Sequence, residues 1–424
     1  MITIVRADGT AEKKQIAAMR QRAAETGAGI EKSAREIMEA VRQRGYEAVR
    51  EYSLKFDGAE PYEISQDTLK AAAERIDPKL LAAFQQSADN IWAYQSELLA
   101  KTREWESPMA GGTVGQIVRG LSRVGVYVPG GRAAYPSSVL MNVIPAKVAG
   151  CGEIIMVTPP TENLNDAVLA AAWVAKVDRV IAVGGVQAVA ALTYGAGFIP
   201  RVDKLVGPGN AFVAAAKRMA YGTLDIDMVA GPSEVLVIAD ETADPVYTAA
   251  DLLSQAEHDV MASAVLLTTS QTLAEQVAQE MERQTGYLSR KDVIEQSLRD
   301  YGAIMVCDSL EQCCGLANEI APEHLELMVK EPRTWLPKIL NAGAVFLGQN
   351  TPEPLGDYMA GPCHVLPTSG TARFFSPLSV ESFLKKMSVI DFSREALASV
   401  KDEIIAMAES EHLTAHANSI KVRF

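Results

Sequence analysis

The sequence predicts an α/β protein, on two observations. From about residue 113 to 350, short β-branched runs alternate with helical segments of about ten to fifteen residues, the pattern of parallel βαβ units. That span is long enough for two parallel sheets rather than one. A chain of 424 residues, 48% hydrophobic, has room for both cores, with a mostly helical segment before them and a helical tail after.

Residues 1–112 read mostly as helix. In "EKSAREIMEAVRQRGYEAVREYSLKFDG", Ile37, Val41, Tyr46 and Val49 fall near one stripe, and Asp57-Gly58 is a stop. "DPKLLAAFQQSADNIWAYQSELLA" opens with Asp77 as N-cap and Pro78 at the first helical position. "TVGQIVRGLSRVGVYVPGG" then reads as strands ending at a Gly-rich turn. "EIIMVTPP" is a strand closed by prolines, and "DAVLAAAWVA" is helix. "RVIAVGGVQAVAALTYG" and "DKLVGPGNAFVAAAKRMAYG" each run strand, Gly turn, helix. "EVLVIAD", a helix through "DLLSQAEHDV", and "SAVLLTTS" continue the alternation. "AIMVCDS" and "GAVFLG" are further strands. The tail, 371–424, reads as helix with two histidines near its end.

Composition removes several function classes. A formal net charge of −13 disfavours a protein that neutralises nucleic-acid phosphates. The longest apolar runs, such as "AVLAAAWVA" (167–175), fall well short of the ~18 residues needed to span a bilayer. "MITIVRADGT" lacks a charged start and an apolar stretch, so a soluble cytoplasmic protein is expected, with no nucleic-acid or membrane partner. Five cysteines without CxxC spacing read as reduced thiols. Cys313 and Cys314, in an apparent helix, read as core residues.

Three Gly turns end strands: 124–131, 181–189 and 204–212. Glycine lets a backbone approach a ligand, and a following helix N-terminus favours phosphate. None is G-x-G-x-x-G, so each could be an ordinary βα turn, although three in one unit point to a nucleotide. Among only five histidines, His258 lies three residues after Gln255, on one face of a helix. Asp357 in "PLGDYMAGPCH" and His416 in "EHLTAHANS" could join them at a divalent metal, with Cys363 a rival ligand beside His364. "IAPEHLELM" (320–328) pairs Glu323 with His324, types suited to proton transfer. A zinc hydrolase and a dehydrogenase both remain open on spacing.

Taken together and in this order, "IDMVAGPSEVLVIAD", "DLLSQAEHD", "IAPEHLEL", "GDYMAGPCHVLPTSGTARFFSPLSV" and "LTAHANSIKVR" resemble the histidinol dehydrogenase family over nearly the whole chain. The resemblance implies two Rossmann-like parallel-sheet domains. The NAD-binding domain would be 113–235 and the metal and catalytic domain 236–370. Residues 1–112 would form a helical segment whose later part packs with 236–370, and 371–424 a tail swapped to the partner of a homodimer with shared active sites. It implies two NAD-dependent oxidations of L-histidinol to L-histidine, the last steps of histidine biosynthesis, through a bound aldehyde, with one zinc per subunit. Residue by residue, Gln255, His258, Asp357 and His416 would hold zinc. Glu323 and His324 would be catalytic. Ser233 and Glu411 would touch substrate, together with the zinc ligands and His324. Tyr127, Gln187 and Asn210 would contact NAD. His364 would orient a ligand or the substrate. Cys363 departs from the polar amide expected there. A sibling enzyme oxidising another small alcohol or diol is the alternative.

Overall fold

The computed structural model describes residues 2–24, 28–109, 111–130, 135–160, 164–229 and 231–424. Its strands are β1 (Thr3–Arg6), β2 (Tyr62–Ile64), β3 (Trp105–Met109), β4 (Gly112–Gly120), β5 (Arg123–Tyr127), β6 (Glu153–Thr158), β7 (Arg179–Ala182), β8 (Lys204–Val206), β9 (Asp225–Ile226), β10 (Glu234–Ala239), β11 (Ser263–Thr268), β12 (Ala303–Val306), β13 (His324–Met328), β14 (Ala344–Leu347) and β15 (Leu384–Asp391). Two six-stranded sheets form among these residues. The first has the order β2-β7-β6-β5-β8-β9, parallel except for β2; the second, β1-β12-β11-β10-β13-β14, is parallel throughout.

The near-continuous apolar strands follow from this placement. Helices cover both faces of each sheet, so β10 and β11 are buried at every position. Each sheet therefore has two cores, one per face. Caps set where the covering helices begin. Asp77 and Asp244 each accept a backbone N–H ahead of a proline-started helix, and Asn210 accepts those of Phe212 and Val213.

Three expectations are corrected. The N-terminal segment divides between the sheets rather than packing with 236–370 through its later part. β1 and helix Ala11–Ala24 join the second sheet, while helices Ala28–Arg44, Tyr46–Asp57, Gln66–Arg75 and Pro78–Lys101 pack on helices of the first. The last of these also reaches across, with Asn90 bonding the Met359 carbonyl and Gln95 bonding Cys363. The stripe from Ile37 to Val49 is broken at Gly45, whose φ of 58° interrupts the helix. The tail is not all helix: β15 pairs antiparallel with β4, and β3 completes a third sheet of three strands. Gly131, the last residue of the first Gly turn, lies outside the described residues.

A buried charged network fixes the turn after β8. Lys217 Nζ lies 2.5 Å from Asp227 Oδ1 and donates to the Gly207 carbonyl at 2.8 Å. Asp227 accepts the N–H of Gly207 and that of Met228. Gly207 itself has φ 107°, and a Cβ there would lie 2.1 Å from the Tyr127 carbonyl oxygen. Only glycine allows so close an approach of this turn to the end of β5. Both charged side chains are almost wholly buried, so neither can fall back on water. Replacing Lys217 by Met leaves Asp227 buried without its cation. The expected cost is about 3–5 kcal/mol, read as a lower unfolding midpoint; an unchanged midpoint contradicts the network's role.

Candidate active site

A cavity of about 210 Å³ opens between the sheets. One wall comes from chain leaving the carboxyl ends of β5 and β8: Ser137, Ser138, Gly207 and Pro208. The other comes from the amino ends of β10 and β13, where Ser233, Glu323 and His324 stand, and from Gln255, His258, Glu353, Asp357 and His364. The first sheet thus presents the strand ends at which parallel sheets ordinarily bind ligands, and the second presents the opposite ends.

Parallel pairing of β10 with β13 sets Val235 beside His324. One residue earlier, the Glu234 backbone holds both members of the expected pair. Its N–H donates to Glu323 Oε2 at 2.9 Å, and its carbonyl meets His324 Nδ1 at 2.9 Å. A carbonyl only accepts, so Nδ1 carries the proton and Nε2 presents a lone pair. That Nε2 is buried with no hydrogen-bond partner. Burial pushes the His324 imidazole down to about 4, so it is neutral at neutral pH. Its approaches to Glu323 and Glu353, 3.7 and 3.8 Å, are therefore contacts of a neutral ring rather than ion pairs. Burial likewise pushes Glu323 well above the usual carboxyl range.

The second group is a set of donors. Gln255 ends helix Pro245–Ala256, but His258 lies beyond it, so the two do not share a helical face as expected. The chain turns away because Asp259 accepts the N–H of Met261 and leads directly into β11. His258 still comes to the same cavity. One ligand atom each from His258, Glu353 and Asp357 lies within 4.8 Å of the others. Burial keeps His258 neutral, raises Asp357 to about 6, and with Asp357 beside it raises Glu353 to about 9. Gln255 is 1% exposed, yet neither its amide oxygen nor its nitrogen has a partner. Orphaned polar atoms and crowded carboxyls cost free energy unless a ligand satisfies them. Imidazole, amide oxygen and carboxylate are donors that suit zinc.

Some expectations are redirected. Cys363 does not line the cavity: Gln95 donates to its sulfur at 3.3 Å, the thiol lies 3.2 Å from the Met141 carbonyl, and burial raises it to about 12. It is no rival ligand. His364 does line the cavity, with Nε2 buried and unpartnered and its ring pushed by burial down to about 4. Glu411 and His416 are not brought to it within this chain; both lie on the exposed surface of the tail. Glu353 was missed. The available signal was its position four residues before Asp357, one turn earlier on helix Glu353–Tyr358.

A second cavity, about 540 Å³, lies at the carboxyl ends of the first sheet. Tyr127, Gln187 and Asn210 all line it, following β5, β7 and β8. The Tyr127 hydroxyl accepts the N–H of Gly185 at 3.0 Å. Asp57, expected only to stop a helix, also lines this cavity and accepts from Gln187 Nε2 at 3.1 Å. The turn that begins at Gly207 on the smaller cavity carries Asn210 on the larger, so the two cavities share a wall.

A model of the histidinol dehydrogenase family matches residues 20–424. The chain is 56% identical over 400 residues to the histidinol dehydrogenase of Caldanaerobacter subterraneus subsp. tengcongensis, covering 93% of each chain. It is 49% identical over 426 residues to that of Clostridium acetobutylicum, covering 98% of each. A crystal structure of histidinol dehydrogenase from Elizabethkingia anophelis matches with a TM-score of 0.93 at 36% identity, over all of this chain and 98% of that one.

Metal binding at the donor set must displace protons. Asp357 has to ionise, so affinity for a divalent cation is expected to rise as pH climbs through about 6. Calorimetry in buffers of different ionisation enthalpy should show proton release on binding. An affinity that is flat with pH, with no proton release, contradicts this arrangement.

Proposed function

Since the chain belongs to the histidinol dehydrogenase family, we propose that the smaller cavity is where L-histidinol is held and oxidised, with NAD in the larger one. The activity is NAD-dependent oxidation of L-histidinol to L-histidine in histidine biosynthesis, which the family and its close relatives give over oxidation of another alcohol. The observation that carries the site assignment is the pair of backbone bonds made by Glu234. It fixes Glu323 and His324 together, with the His324 lone pair unpartnered in the cavity that also holds the donor set.

The chain's own groups divide the work. His324 Nε2 takes the proton of the substrate hydroxyl as the first oxidation proceeds. NAD, when bound, supplies the acceptor for the electrons. The aldehyde must gain water before a second oxidation. Glu323, as the ionised carboxylate, activates that water by accepting its proton, and burial raises its affinity for that proton. His324, having released its first proton to solvent, then takes the hydroxyl proton of the hydrate, with the second hydride passing to a second NAD. Ser233 lines the cavity within reach of the substrate.

Gln255, His258 and Asp357 are the residues of this chain that would hold zinc. Zinc, when bound, supplies an anchor for the imidazole and amine nitrogens of the substrate. The remaining groups, Glu411 and His416, would come from the tail of a second copy, making a homodimer with shared sites. Their exposure supports this, as does the exposure of Met407, Leu413 and Val422 on the same tail. A cytoplasmic location is proposed from the family's place in amino-acid biosynthesis; no helix among the described residues is long and apolar enough to cross a membrane.

Purified protein with zinc should form two NADH per L-histidinol, and a chelator should abolish turnover. Turnover of a different alcohol with none of histidinol contradicts the substrate assignment. Replacing His324 by Ala should lower kcat by about 10²–10⁴ with the zinc content unchanged. A variant of undiminished kcat removes His324 from the chemistry.

A further inference from the structure

The mechanism gives Glu353 no task, yet its placement is specific. It lines the substrate cavity and is 2% exposed. Both ends of the residue are held. Its backbone N–H donates to Glu326 Oε1 at 2.9 Å, and Ser254 Oγ lies 3.4 Å from its Oε2. The other oxygen, Oε1, is buried with no hydrogen-bond donor and stands 3.8 Å from His324 Nε2. A ligand atom of Glu353 lies within 4.8 Å of those of His258 and Asp357. Beside them, Gln255 has an unpartnered and buried amide.

A carboxylate in such a place is stable only with a proton or a cation beside it. Of the donors lining the cavity, His258, Glu353 and Asp357 come close enough together to share one ion, and Gln255 on the same lining would make a fourth. Four nitrogen and oxygen donors are what a zinc ion requires from a closed shell. His416, by contrast, sits on an exposed helix outside the cavity.

We propose that Glu353 is a protein donor to the metal in a chain that lacks the His416 of a second copy, so that the site loads a divalent cation before that histidine is supplied. The proposal rests on the reading of this cavity as a metal centre. It assigns to Glu353 a role in acquiring and keeping the metal. It also accounts for a buried carboxyl that neither proton transfer nor the NAD cavity uses.

The test uses the full-length protein, stripped of metal and titrated with zinc alone against a chromophoric chelator. H416A should still take up one zinc per chain, more weakly than the unsubstituted protein. E353Q in the H416A background should weaken zinc binding further by at least about tenfold. E353D in the same background keeps the carboxylate on a shorter arm and should bind with intermediate affinity. Far-ultraviolet circular dichroism identifies any variant that fails to fold; E353D then carries the comparison. Equal zinc affinity in H416A and in both double variants overturns the proposal. H258A separates the two levels: unweakened zinc binding there overturns the metal centre itself.

Discussion

The site depends on the backbone of Glu234. Parallel pairing of β10 with β13 brings that residue beside Glu323 and His324, and both its N–H and its carbonyl are used there. The N–H orients a carboxyl. The carbonyl fixes which imidazole nitrogen holds the proton and leaves the other free in the cavity. The two proposed catalytic groups are thus placed by a single strand residue inside a sheet buried on both faces. A loop could not hold them so closely, and precise placement is where much of an enzyme's rate originates.

This arrangement puts Glu323 and His324, the proposed catalytic groups, at the amino ends of strands, which is unusual for a parallel sheet. The first sheet supplies the missing half with its carboxyl ends. The Gly207 turn, pinned by Lys217 and Asp227, is the partition that borders both cavities. On the proposed assignment a hydride would pass between the two cavities beside this turn, so its fixed position would set how closely their occupants approach. The buried acids carry the energetic burden. Glu323, Glu353 and Asp357 are all raised by burial, and the histidines facing them are all held neutral. Without a cation these acids hold their protons to higher pH than ordinary carboxyls do, and a bound cation would displace those protons.

Much of the architecture was legible because strands buried on both faces read as β-branched runs and the helices between them carry caps. The Gly turns were legible for the same reason, and Tyr127, Gln187 and Asn210 do meet at one cavity. The strand β15 was not legible: most of its residues are exposed, so hydrophobic periodicity gives no strand signal there. The place of His258 beyond its helix was hidden because a spacing of three fits a helix and a turn equally. Glu353 was legible only through its spacing of four from Asp357, since the six-residue helix Glu353–Tyr358 is too short to show a periodicity of its own. The roles of Gln255, Asp357 and Glu411 came from resemblance between long ordered blocks, since spacing left a hydrolase equally open. The exposed tail that carries Glu411 and His416 packs them against nothing within this chain's cavity, and one chain's periodicity does not encode where they act.

The central claim is that the buried, unpartnered donors around Glu323 and His324 form a metal centre of nitrogen and oxygen ligands. X-ray absorption at the zinc edge of the reconstituted protein tests it most directly. The account predicts a first shell of nitrogen and oxygen only, at about 2.0–2.2 Å, with imidazole scattering. A sulfur ligand at about 2.3 Å would place the metal on a cysteine such as Cys363 and contradict it.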